Sequence, residues 1–281
     1  MNRHFPIRSL ITALIALLFA GCQSAIFGIA NIGAAKPSAS VLYDAERGLS
    51  LDIYKSHLNN TPAPVVVFFY GGGWKHGTRD QYRFVGSRLA EQGVLAIVAD
   101  YRTFPSTTFP GFVEDGARAV AWSRQHAVEY GGDAGRLFVA GHSAGAQIAA
   151  LIGTDARYLL ANGMKPLDLA GVIGLSGPYD FGIDDEYAPV FGPREQWPLA
   201  QAVNFVDGDE PPFLLIHGTN DQVVETKDSP ELAEKLKAKG GHAVVLLLPD
   251  GGHSTPLTAI YRTKRDSTVM NAMIAFINNP K

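Results

Sequence analysis

The sequence predicts an α/β fold: a mostly parallel sheet of about eight strands, with helices on both faces and a small cap or none. Three observations carry this expectation. Apolar runs of strand length alternate along the chain with stretches of helix length. Hydrophobic residues make up 46% of the 281, enough to bury a large core. Gly141-His142-Ser143-Ala144-Gly145 lies between a strand-like run, Arg136–Ala140, and a helix-like run, Ala144–Leu151.

The elements follow in order. Leu49–Tyr54 reads as an early antiparallel strand, and Pro64–Tyr70 and Val94–Ala99 as buried strands. Phe112–Tyr130 reads as a helix ended by Gly131-Gly132. Val172–Ser176 is the strand after the helix that follows Ser143, and Pro212–Gly218 is the next. Ser229-Pro230 opens a helix to Lys239, with proline in the first turn. Ala243–Leu248 is the last strand and Thr268–Asn278 the closing helix. There is no internal repeat, and 41–281 suits one domain, since α/β folds often run past about 200 residues as one unit.

The glycines at 141 and 145 suit a strand-to-helix turn so tight that only small residues fit beside it. Such a turn projects the central side chain, Ser143, above the sheet edge. A serine hydroxyl needs a base, and the base needs an orienting acid. Three histidines follow Ser143: His217, His242 and His253. His253 sits in a loop directly after the strand Ala243–Leu248, where α/β sheets place their ligands, and is the expected base. His217 closes a strand and is read as structural, with a nitrogen on the loop backbone. His242 lies in a Gly-Gly turn and is read as solvated.

Asp221, just past the strand ending at His217, is the expected acid. Asp209 and Glu210 precede that strand, Glu225 lies further along the loop, and Asp250 reads as a turn former. Gly71-Gly72-Gly73-Trp74 follows an apolar strand, where backbone N–H groups can approach a reacting carbonyl. No Gly-Lys-Ser/Thr follows, so a nucleotide loop has little support.

These residues resemble the carboxylesterase branch of the α/β-hydrolases that carries an H-G-G-G-W loop, including hormone-sensitive-lipase-like and small acetyl- or feruloyl-esterase-like enzymes. The resemblance runs from about Tyr43 to Ile277. It rests on Gly71–Trp74, Asp100-Tyr101-Arg102, Gly141–Gly145, His217–Asp221 and Gly252-His253. It implies Ser143 as nucleophile, His253 as base and Asp221 as orienter, with Gly72, Gly73 and Ala144 as oxyanion donors. It implies hydrolysis of small esters; no metal or cofactor is expected, since the His and Cys residues lack zinc-ligand spacing. Tyr70 stands where the family has a histidine before the glycines that helps hold the loop, a part a tyrosine hydroxyl can also take. An arylformamidase-like amidase or a peptidase would use the same parts. A non-catalytic envelope lipoprotein on this fold is the third reading.

The chain opens with a basic segment holding Arg3 and Arg8, then the apolar run Leu10–Phe19, then Ala20-Gly21-Cys22. These are the parts of a secretory signal peptide over 1–21. The ending resembles a bacterial lipobox, with Phe19 in place of the more usual leucine. Cys22, the one cysteine in the chain, is the expected lipidation site. Gln23 after it implies, by resemblance to Gram-negative lipoproteins, the outer membrane facing the periplasm. Residues 22–40 read as a lipidated cysteine and flexible tether; Ile26–Ala30 is apolar enough to touch lipid or to dock on the domain. Removal of 1–21 takes basic residues from 24 to 22 against 27 acidic, moving net charge from −3 to −5. No basic cluster survives, so nucleic-acid binding has little support.

Substrate signals are fewer. Asp184–Asn204, with Tyr187, Phe191 and Trp197, is the one sizeable insertion and reads as a small lid over the pocket or a packed surface loop. Trp74 and Tyr70 are candidate pocket walls, with packing under the following helix as the alternative for Trp74, and the loop Phe104–Pro110 is a candidate lining of the mouth. An open, aromatic-lined site suits a short acyl group on a bulky or aromatic alcohol.

Overall fold

The computed structural model describes residues 27–56, 58 and 62–281. The expected signal peptide and Cys22 lie outside the described residues. Eight strands form one sheet: β1 (Ala39–Asp44), β2 (Leu49–Tyr54), β3 (Ala63–Phe69), β4 (Leu95–Ala99), β5 (Gly132–His142), β6 (Gly171–Leu175), β7 (Phe213–Gly218) and β8 (Ala243–Leu248). Their order is β1-β2-β4-β3-β5-β6-β7-β8. The β1–β2 and β2–β4 pairs are antiparallel, and every later pair is parallel.

The burial of each strand follows from its place in the sheet. β3, β4 and β6 are buried along their whole length, as strands covered on both faces must be, and apart from Pro64 they are built of Val, Ile, Leu, Phe, Ala and Gly. The outer strands β1 and β8 keep residues open to solvent. The helix Ala144–Thr154 is buried on every side, packing on β5 and β6 with an almost wholly apolar sequence.

Parallel order brings the C-terminal ends of β3, β5, β7 and β8 to one edge of the sheet. Phe69 pairs with Gly141, His142 with Leu175, Leu175 with Ile216 and Gly218 with Leu248. The loops after these four strands hold Gly71–Gly73, Ser143, Asp221 and His253. Residues far apart in sequence therefore meet at the edge where open α/β sheets form their crevices.

Several elements differ from the sequence expectation. The helix Phe112–Tyr130 is an α-helix over Gly111–His126 continued by a 3₁₀ turn over Ala127–Tyr130, and Gly131 ends it at a left-handed φ of 86°. β5 starts at Gly132, earlier than Arg136. The strand Ala39–Asp44 and the helix Arg83–Glu91 are additional elements.

Residues 27–38, within the stretch read as a flexible tether, lie on the domain. The helical residues 27–30 put Phe27 against Tyr82, with ring centroids 4.9 Å apart, and bury Ala30. Asn31 donates through Nδ2 to the Asp80 carbonyl (2.9 Å) and accepts through Oδ1 from the Phe84 N–H (2.9 Å). The Ala35 N–H donates to Ser87 Oγ (3.0 Å), and β1 begins at Ala39. Apolar contact and satisfied backbone groups hold this segment where Ala-, Gly- and Ser-rich composition alone predicts a loose chain.

Candidate active site

The turn at Ser143 is as tight as its glycines predict. A Cβ at Gly141 would collide with the Gly145 carbonyl, and one at Gly145 with the Phe69 carbonyl. Ser143 takes φ 55° and ψ −122°, a strained conformation for a residue with a side chain. It is held there by its N–H on the Leu175 carbonyl (2.9 Å), and its own carbonyl accepts from Ala146 (2.9 Å) and Gln147 (3.1 Å). The side chain is half-buried and faces a cavity of about 620 Å³.

Two further candidates meet beside it. His253 also lines the cavity, and its Nδ1–H donates to Asp221 Oδ2 at 2.8 Å. That bond fixes the tautomer and leaves Nε2 with its lone pair. The Asp221 side chain is fully buried, yet every one of its contacts favours the ionised form. Oδ1 accepts from the N–H groups of Val223 (2.8 Å) and Val224 (3.0 Å), and Oδ2 accepts from His217 Nε2 (3.1 Å) as well as His253. Burial by itself raises the carboxyl pKa, but the hydrogen bonds from His217, His253 and the two amides outweigh it and hold Asp221 well below the usual carboxylate range. The loops carrying Asp221 and His253 are tied together: the Asn220 N–H donates to the Gly251 carbonyl (2.8 Å) and the Asp250 N–H to Thr219 Oγ1 (2.9 Å).

His217 has a larger part than a backbone contact. Its Nε2–H faces both Asp221 Oδ2 and the Val224 carbonyl (3.3 Å), while Nδ1 accepts from Ser229 Oγ (2.8 Å). Asp221 thus sits between two histidines, one buried and one at the cavity. The i, i+4 spacing across the turn was the available signal.

The glycine loop lines the same cavity. Gly71 donates its N–H to Tyr82 Oη (3.1 Å). Gly72, at φ 140°, turns the chain so that its carbonyl accepts from Lys75 and His76, in a space a side chain would fill. Among the described residues, no protein acceptor takes the N–H of Gly72 or Gly73. Ala144 opens a helix, where the first N–H groups have no intrahelical partner. Three amide donors are therefore free near Ser143, as electrostatic stabilisation of an oxyanion requires.

Tyr70 and Trp74 are corrections. Neither side chain reaches the cavity; both are buried behind it. Tyr70 stacks on Tyr101 at 4.5 Å and exchanges hydroxyl-to-carbonyl bonds with it, so it braces the loop from below. Trp74 stacks on Phe181 (5.5 Å) and meets Phe191 edge-on (4.8 Å), and its Nε1–H donates to Gln147 Oε1 (3.1 Å). Trp74→Ala should therefore lower stability by about 3–5 kcal/mol. A urea titration checks this; a cost below about 1 kcal/mol would place Trp74 outside the core.

The insertion is also more firmly packed than a lid. Phe191 is buried against Phe109, Phe112 and Trp74, and Gln147 Nε2 donates to the Ala200 carbonyl (2.9 Å). Only Glu186 and Tyr187 from it line the cavity, steadied by Lys75 at 3.1 Å from Glu186 and 4.5 Å over the Tyr187 ring. The loop Phe104–Pro110 packs on this cluster through Phe109 and does not line the cavity.

His142, the variable residue before Ser143, had no role in the sequence reading. Its Nε2–H donates to the His253 carbonyl (3.1 Å), and its Nδ1 faces Tyr82 Oη at 3.4 Å. Tyr82 and His142 thus join the Gly71 backbone to the His253 backbone. A lone titratable side chain at the end of an apolar strand was the signal. Burial, then the neighbouring His253, push the His142 pKa down to about 3. An unfolded histidine takes its proton near pH 6.5, so the unfolded state binds more protons between there and about 3. Stability present above about pH 6.5 is lost as pH falls through that window. His142→Gln, which keeps an N–H for the His253 carbonyl, should flatten this dependence. Urea midpoints measured from about pH 7 to 4 test it, and parallel curves for the two proteins would contradict it.

Comparison with known proteins agrees with the fold. The BD-FAE family matches residues 51–236. Esterase LipC of Mycobacterium tuberculosis is 31% identical over 262 residues, covering 85% of this chain and 64% of that protein. A probable isoprenylcysteine alpha-carbonyl methylesterase of Arabidopsis thaliana, ICMEL1, is 29% identical, covering 76% of this chain and 50% of its own length. The chain thus spans between half and 64% of these relatives. Among solved structures, a truncated carbohydrate esterase from gut microbiota superimposes with TM-score 0.74 at 23% identity, over 87% of this chain and 98% of its own. Esterase 2 of Thermogutta terrifontis superimposes with TM-score 0.70 at 23% identity, over 85% and 91%. The fold is that of the α/β-hydrolases, and the chain belongs to the BD-FAE family.

Proposed function

We propose that this chain is a serine carboxylesterase, with Ser143 as nucleophile, His253 as general base and acid, and Asp221 as the orienting carboxylate. The 2.8 Å bond from His253 Nδ1 to Asp221 Oδ2, beside Ser143 on one cavity, carries the reading. Ser143 Oγ attacks the ester carbonyl carbon while His253 Nε2 takes its proton. The N–H groups of Gly72, Gly73 and Ala144 hold the resulting oxyanion, each such donor typically worth about 3 kcal/mol. The carbonyl–alkoxy bond breaks and the alcohol leaves with the proton from His253. Water then adds to the acyl-enzyme, giving its proton to Nε2, and the acid departs as Ser143 is restored. Ionised Asp221 stabilises the imidazolium formed in both steps and fixes its orientation.

The preferred acyl group is short. The protein is exported and held in the bacterial envelope through lipidated Cys22, supported by the basic segment, apolar run and Ala20-Gly21-Cys22 of the sequence. More than one acyl chain makes such an anchor firm. Among the described residues no helix is long and apolar enough to cross a membrane.

Hydrolysis of p-nitrophenyl acetate, butyrate and octanoate, run beside aryl formamides and peptides, tests the reaction. Turnover of esters with preference for the short ones supports the proposal. Turnover of amides alone would favour an amidase, and no turnover by folded protein would leave the binding-protein reading.

A further inference from the structure

The cavity is asymmetric. Ser143, His253 and the glycine loop form its reactive end. Elsewhere its apolar lining includes Phe27, Ile29 and Ala30 with Phe84, Leu257 and Tyr261, beside polar residues such as Gln81, Glu186 and Arg262. Three of those six apolar residues precede the first strand. A volume of about 620 Å³ lies in the range that holds a drug-sized ligand, far more than an acetyl group fills.

The wall is built in. Asn31 bonds on one side to the Asp80 carbonyl and on the other to the Phe84 amide, and Ala30 is 7% exposed. Phe27 rests on Tyr82, the residue that accepts from Gly71 and faces His142. The segment that lines the cavity is thus seated on the residue that links the oxyanion loop to the His253 loop. Ile29 is 54% exposed, as a residue at the mouth would be.

We propose that residues 27–30 are a specificity-determining wall of the substrate site, and that the ester taken carries one bulky apolar substituent, aromatic or branched, packed along Phe27, Ile29, Phe84, Leu257 and Tyr261. This rests on the esterase reading above. A small ester leaves the wall untouched and gains nothing from it. A bulky one removes apolar surface from water on both sides, which raises kcat/KM only to the extent that the contact persists in the transition state.

The test uses the full chain, its Phe27→Ala/Ile29→Ala variant and two ester series. One series is the acetates of methanol, benzyl alcohol and 2-naphthol; the other is the methyl esters of acetic, phenylacetic and octanoic acids. Wild type is expected to favour the bulky alcohols of the acetate series, in keeping with a short acyl group, and the double variant to lose about tenfold in kcat/KM on those, mostly through KM. Its kcat/KM on methyl acetate should stay within about twofold of wild type. Phe27→Leu, which keeps an apolar wall, should retain most of the preference, and it serves if the double variant does not fold. Equal losses on small and bulky esters, or no bulky preference in wild type, would overturn the inference while leaving the esterase reading intact. No turnover of any ester by wild type would sink both.

Discussion

Ser143→Ala is expected to reduce ester turnover by at least about 10⁴-fold while leaving the fold intact. The size follows from chemistry: without Oγ there is no acyl-enzyme, and only binding and the oxyanion donors remain. The intact fold follows from the backbone. The strained turn at φ 55° is held by the Leu175 carbonyl and by the Ala146 and Gln147 amides, none of which needs the hydroxyl. Alanine also fits a half-buried position without collision. Steady-state rates with a short ester, paired with a thermal melt, check both parts. A variant that melts with wild type yet keeps more than about a hundredth of its activity would remove Ser143 from the reaction.

Asp221→Asn is expected to lower kcat by about 10³–10⁴-fold with a smaller effect on KM. An amide of the same shape offers an N–H where His253 Nδ1 needs an acceptor. The imidazole is then driven to the other tautomer, with its proton on the nitrogen that should receive the serine proton. The change also reaches His217, whose Nε2–H loses one of its two acceptors and keeps the Val224 carbonyl. Some loss of stability should accompany the loss of activity. Because hydrogen bonds hold the Asp221 carboxyl below its unfolded value, wild type has this contribution above the usual carboxylate range and loses it as pH falls through and below that range. The variant should show a shallower acid limb in its unfolding midpoint. A kcat within about tenfold of wild type would mean that another group orients His253.

Much of this arrangement was legible in the sequence, for reasons that differ by residue. Ser143 was legible because the turn geometry demands small neighbours, and the collisions awaiting a side chain at 141 and 145 show why. Asp221 and His253 were legible because parallel strands end at one edge, so residues just past β7 and β8 come together. Sequence position beside a glycine loop does not say which way a ring points, so Tyr70 and Trp74 suit a pocket wall or a buried brace equally; both turn into the aromatic layer beneath the loop. His142 and the second bond of His217 were missed because they depend on contacts with Tyr82, His253 and Asp221 that no spacing rule encodes. The docking of 27–35 was left open because its few apolar residues suit lipid or protein equally, and the choice is made by Asn31 and Ala35 meeting backbone and side-chain partners some fifty residues on.

The most direct test of the central claim is covalent capture of the nucleophile with diethyl p-nitrophenyl phosphate, read by peptide mass spectrometry. The account predicts one diethylphosphoryl group per chain, on the peptide carrying Ser143, with one p-nitrophenolate released and ester hydrolysis lost in step. Ser143→Ala should take up none. Folded, ester-hydrolysing protein that stays unlabelled at Ser143, or carries the label on another residue, would contradict it.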